Sequence, residues 1–181
     1  NRQHFSFILT QKETTVLKSI AKQSIEAAVN NTTPPQLNEV LQQSERFSQS
    51  GGGFVTLTID GMLRGCIGEI FPSRSIAEVV LERAADAALA DPRFPPLSPS
   101  ELDLIAIEIS LLSPPWSVDN YDEIKIGLHG IVLSKERKSA VFLPQVATEQ
   151  EWDIETTLTQ LAQKAGLPAD GWKSGASFSV F

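Results

Sequence analysis

The sequence predicts an α+β domain, a mixed but largely antiparallel sheet with flanking helices. Three observations carry that prediction. Strand-like alternation recurs in pairs joined by short turns, as at Asp60-Gly61; two segments open with capping-box spacings ahead of helical periodicity; and helices are interspersed with hairpins rather than alternating regularly with single strands.

In chain order, Thr10 and Glu13 have the spacing of a capping box, and Leu17, Ile20, Ala21, Ser24 and Ala28 fall on one face of a helix ending near Asn30-Asn31. A shorter helical piece uses Leu37, Val40 and Leu41, and Gly51-Gly52-Gly53 reads as a flexible loop. Val55, Leu57 and Ile59 then alternate with Thr56 and Thr58 up to the hairpin signal Asp60-Gly61. With those two residues central to the turn, Ile59 pairs with Met62, Leu57 with Arg64 and Val55 with Cys66. Ser75 and Glu78 open a second helix to about Ala90, with Ile76, Val79, Val80, Arg83, Ala84 and Ala87 on its buried side. Asp91-Pro92-Arg93-Phe94-Pro95-Pro96-Leu97 is stiff and extended, because proline restricts both itself and the residue before it, and such rigidity can place Asp91 and Arg93 accurately.

Ile105, Ile107, Ile109 and Leu111 alternate with Glu108 and Ser110 in a strand closed by Ser113-Pro114-Pro115. The segment through Trp116, Tyr121 and Ile126 has no readable pattern. Two apolar runs around Lys135-Glu136-Arg137-Lys138 predict a second hairpin, Asp153 caps a helix carrying Ile154, Leu158 and Leu161, and Ser177 to Phe181 predict a final strand.

The length of 181 residues suits one domain, divided here into an N-terminal extension, 1–9, and a domain, 10–181. A net charge of −7 without a Lys/Arg cluster argues against nucleic-acid binding. No apolar run approaches the roughly 20 residues of a membrane span. A single cysteine makes no internal disulfide, which predicts a reducing, cytoplasmic setting. With only His4 and His129, and no Walker loop, dinucleotide fingerprint or zinc-protease motif, neither metal nor cofactor is expected. Composition permits a dimer without requiring one.

The chemistry centres on Leu63-Arg64-Gly65-Cys66-Ile67-Gly68. In a regular strand Arg64 and Cys66 share a face, and a guanidinium beside a thiol favours the thiolate. Cys66 is therefore a candidate nucleophile or transient covalent carrier, with Arg64 stabilising it or binding an anionic substrate, and His129 a candidate base. The register above puts Arg64 among apolar side chains, where a guanidinium needs a carboxylate or an open cleft; Glu69, Asp91 and Glu108 are candidates. Gly65 and Gly68 would let backbone approach a ligand closely. The alternatives are a non-catalytic binding or adaptor module, with Arg64 as the anion-recognising group and Cys66 a core thiol, and a redox sensor built on Cys66.

The same hexapeptide resembles the signature of the AMME chromosomal-region protein family, known in prokaryotes as AmmeMemoRadiSam system protein A. The likeness continues through Gly53-Phe54-Val55-Thr56-Leu57, the Asp91 to Leu97 run, Leu112-Ser113-Pro114-Pro115, His129-Gly130-Ile131-Val132-Leu133 and Phe142-Leu143-Pro144-Gln145-Val146. The resemblance implies a compact α+β domain with a larger and a smaller subdomain around a cleft, the hexapeptide near that cleft. It also implies association with a Memo-like protein and a radical S-adenosylmethionine enzyme. Asp91, Arg93, His129 and Gln145 come from its matching motifs as candidate wall residues.

Overall fold

The computed structural model describes residues 9–181, so His4 and all but Leu9 of the expected extension lie outside the described residues. The chain forms two compact units, one ending at Pro114 and the other running Pro115–Phe181.

The first unit contains helix α1 (Gln11–Asn30), a short α2 (Leu37–Leu41), the hairpin of β1 (Gly52–Ile59) and β2 (Met62–Glu69), helix α3 (Ile76–Leu89) and β3 (Ile105–Leu112). Thr10 and Ser75 close capping boxes with Glu13 and Glu78, as their spacing predicts. The strands form one antiparallel sheet in the order β2-β1-β3. One face lies against α1 and α3: Val55 and Leu57 are buried with Leu17, Ile25, Ile76 and Val80, and Ile67, Ile107 and Ile109 pack against the same core. Thr56, Glu108 and Ser110 belong to the opposite face, where Glu108 and Ser110 are exposed. Gly52 and Gly53 open β1, paired with Leu112 and Leu111, and so are strand rather than the expected loop.

The hairpin register also needs correction. Ile59 pairs with Met62 as predicted, but Thr58 then pairs with Leu63 and Leu57 with Gly65, leaving Arg64 as the extra residue of a β-bulge. Leu57 therefore does not face Arg64, and Val55 faces Ile67; Cys66 faces Thr56. The slip has a steric and electrostatic reason. It puts Gly65, not a guanidinium, opposite the buried Leu57, and a Cβ at Gly65 would stand 2.1 Å from the Ala87 carbonyl oxygen of α3. Only glycine permits that approach of helix to strand. At Gly68 a Cβ would meet the Gly53 carbonyl oxygen at 2.3 Å and the Phe54 ring at 2.4 Å. Both glycines thus make room for the protein's own atoms rather than for the ligand expected of them.

The second unit contains β4 (Trp116–Val118), β5 (Ile131–Lys135), β6 (Lys138–Phe142), α4 (Pro144–Glu149), α5 (Ile154–Lys164) and β7 (Ser177–Val180). Its sheet, ordered β4-β7-β5-β6, is also antiparallel throughout. Leu133, Leu158, Leu161, Trp172 and Val180 form its core. The α+β class holds, with two antiparallel sheets in place of one mixed sheet. Among the described residues no helix is long and apolar enough to cross a membrane.

Replacing Gly65 by alanine forces α3 away from β2, and we expect a loss of about 1–3 kcal/mol, read as a lower urea midpoint at unchanged slope. An unchanged midpoint would mean that the helix yields without cost.

Candidate functional site

Among the described residues no strand pairs with β2 on its outer side, so its outward peptide groups must find other partners. At Cys66 they find two side chains from the loop after α3. The backbone N–H of Cys66 donates to Asp91 Oδ2 at 2.9 Å, and its carbonyl oxygen accepts from Arg93 Nη2 at 3.3 Å. Arg93 in turn donates to Asp91 through Nε at 3.0 Å, Nη2 at 2.8 Å and its own backbone N–H at 3.0 Å. Asp91 is 4% exposed, whereas the Arg93 side chain is 55% exposed. The result is a clamp on both polar groups of one peptide.

Because Cys66 turns its N–H and C=O outward, it forms a non-hydrogen-bonded pair with Thr56, the arrangement in which side chains of opposite strands stand closest. The Thr56 hydroxyl and the Cys66 sulfur accordingly share a hydrogen bond at 3.2 Å. Cys66 is half-buried, with its side chain on the sheet face away from the helices. Across β1, Thr56 pairs with Glu108 of β3, so thiol, hydroxyl and carboxylate residues form one row.

Arg64 is engaged elsewhere. Its Nε and Nη2 form a bidentate pair with Glu101 at 2.9 and 3.1 Å, and Nη1 donates to the Pro95 carbonyl at 3.0 Å. Its carboxylate partner is thus Glu101, not Glu69, Asp91 or Glu108. The signal was present in the capping-box spacing of Ser98 and Glu101, which the structure forms around a short 3-10 turn. The cation placed at the Cys66 peptide is Arg93, whose pKa is raised, first by its hydrogen bonds to Asp91. Glu69 pairs with Arg74 at 2.8 Å and Arg83 at 3.1 Å, and the Arg74 contact holds its carboxyl below the usual range.

Two further candidates belong to the second unit. His129 Nδ1 accepts the Lys125 backbone N–H at 3.1 Å, which selects the Nε2–H tautomer of the neutral ring, and the ring meets Trp116 edge-on at 5.5 Å. Gln145 is exposed on the first turn of α4. Among the described residues no group of three His, Cys, Asp or Glu could hold a metal.

The clamp and the Arg64 pair both carry pH dependence. The Arg93 side chain, helped by the Cys66 and Arg93 backbone N–H groups, holds Asp91 far below the usual carboxylate range against the opposing effect of burial. Glu101 is lowered from 4.5 to about 2, first by Arg64 and then by the Ser98 backbone N–H. A carboxylate depressed on folding contributes its full stability above its unfolded pKa and loses it as pH falls toward the folded value. Stability should therefore fall between 4.5 and about 2. A Glu101→Gln protein, less stable at neutrality, should show a shallower fall across that window in urea titrations; a parallel curve would remove the Arg64 pair from the account.

The chain resembles known proteins along nearly its whole length. The AMMECR1 family model matches residues 18–181. A protein of Methanosarcina acetivorans is 34% identical over 180 residues, covering 96% of this chain and 90% of its own. One from Methanothermobacter thermautotrophicus is 39% identical over 168 residues, covering 90% and 86%. The crystal structure of an uncharacterized protein from Pyrococcus horikoshii matches with a TM-score of 0.80 at 30% identity, over 96% of this chain and 90% of that one. On these matches, and with the hexapeptide at the clamped edge of its first sheet, the chain belongs to the AMMECR1 family.

Proposed function

We propose that this protein is thiol-dependent, with Cys66 as the nucleophile or transient covalent carrier. The observation that carries the reading is the clamp: Asp91 and Arg93 fix the Cys66 peptide while the residue stays half-buried, its side chain on the face away from the core. An inert core thiol would need neither the exposure nor the fixed backbone. Arg93 takes the role first considered for Arg64, stabilising negative charge on sulfur or on a small anionic substrate. Glu69, Gly65 and Gly68 shape the first unit around Cys66 rather than taking part in its chemistry, and His129 and Gln145 belong to the second unit. The Memo-like and radical S-adenosylmethionine proteins implied by the family resemblance are the proposed partners, inside the cell, for which this chain is a component.

The binding-module reading is favoured by one observation. The Arg93 side chain is more than half exposed, and among the described residues its Nη1 has no hydrogen-bond partner, so a carboxylate or phosphate could approach it. That reading moves recognition from Arg64, whose fork is occupied, to Arg93.

Alkylation by iodoacetamide, followed by intact mass, separates the two. We expect Cys66 to react in the native protein, several-fold more slowly in Arg93→Gln, and Cys66→Ser to lose activity in a system reconstituted with the partners. Reaction only after unfolding, with an Arg93→Lys protein losing anion binding while Cys66→Ala keeps it, would establish the binding module instead.

A further inference from the structure

Among the described residues the two sheets have four edges, and three of them are closed. At β2 the Asp91–Arg93 clamp covers the Cys66 peptide and the bulge at Arg64 breaks the ladder. β4 is only three residues long. On β6, Lys164 Nζ donates to the outward carbonyl of Val141 at 2.8 Å. Short strands, bulges and lysines are the usual means of stopping edge-to-edge pairing.

β3 has none of them. It runs for eight residues in unbroken register with β1, contains no proline and carries a single charge, Glu108. The direction of its outer groups follows from Cys66. Since Cys66 points its peptide groups outward, Thr56 points its own toward β3, Glu108 points back toward β1, and Ile105, Ile107, Ile109 and Leu111 point theirs away from the sheet. Among the described residues no hydrogen bond reaches those outward groups. Ala106, Glu108 and Ser110 beside them are exposed.

We propose that β3 is a self-association edge, pairing antiparallel with β3 of a second copy to join two three-stranded sheets into one of six. The side chains choose the register. Outward groups must meet outward groups, and of the two-fold axes that allow this, those at Glu108 and at Ile109 overlap the strand over the greatest length. An axis at Glu108 sets two carboxylates directly opposite each other, which is destabilising. An axis at Ile109 pairs Ile109 with itself, Ile107 with Leu111, and Glu108 with Ser110, whose hydroxyl can donate to the carboxylate. The strand is thus self-complementary in one of its two longest registers, which argues for a second copy over an unrelated peptide.

Sedimentation velocity over about 10–500 µM tests this, a range chosen because one strand pair makes a weak interface. The wild type should move from monomer toward a species of twice 19.7 kDa. Ser110→Glu opposes Glu108 at two symmetric contacts and should weaken the dimer about tenfold, while Ser110→Lys should leave it as tight or tighter. Ser110 is exposed, so both variants should keep the wild-type urea midpoint within about 0.5 kcal/mol of stability. A wild type that stays monomeric throughout overturns the proposal and leaves the edge to a strand from another protein. A dimer indifferent to both substitutions, or weakened by lysine, overturns β3 as its interface.

Discussion

The Cys66 peptide lies on a sheet edge with no strand beyond it among the described residues, and its N–H and C=O are satisfied by an aspartate and an arginine two residues apart on one loop. A buried carboxylate such as Asp91 is costly unless it is paired and fully hydrogen-bonded, and this one receives the Arg93 guanidinium and two backbone N–H groups. Three features of the first unit follow from this contact. The edge is closed, the loop after α3 is tied to β2, and the strand is held in the phase that brings the Cys66 sulfur to the Thr56 hydroxyl on the open face.

The same loop is fastened again further on. Arg64 grips Glu101 and the Pro95 carbonyl, and the Leu97 N–H donates to Ala88 at the end of α3 at 2.8 Å. A proline-rich segment held at both ends acts as a strut between helix and strand. The two arginines near the cysteine therefore divide the work. Arg64, 13% exposed, is taken up by Glu101 and the Pro95 carbonyl, and Arg93, about half exposed, is the cation at the Cys66 peptide. The choice follows from the bulge: a guanidinium cannot enter the Leu57 face of the sheet, so the strand slips by one residue and glycine takes the place next to α3.

Much of this was legible before any coordinates. Local signals were read correctly where the cause was local: the capping boxes at Thr10 and Ser75, the turn at Asp60-Gly61, the alternation of Ile105 to Leu111 and the cap at Asp153. The misses arose where a distant neighbour decides. The slip at Arg64 is imposed by the Ala87 carbonyl of a helix more than twenty residues on, which no hairpin rule contains. Gly52 and Gly53 look like a loop in isolation and become strand because β3 pairs with them. Glu101 was missed although its spacing from Ser98 was readable, since its importance lies in Arg64, 37 residues earlier. Asp91 and Arg93 were singled out, but as wall residues; that they hold the peptide of the cysteine itself depends on the edge position of β2.

The claim on which the rest depends is that side chains, not a neighbouring strand, hold the outer edge at Cys66. Amide hydrogen exchange of Cys66 by NMR tests it most directly, with the outward amides of Ile107 and Ile109 in the monomeric protein as an internal reference for an uncovered edge. The Cys66 amide should exchange far more slowly than theirs in the wild type and lose that protection in Asp91→Ala while the Thr56 amide keeps its own. A Cys66 amide that exchanges as fast as those of Ile107 and Ile109 in the wild type would contradict it.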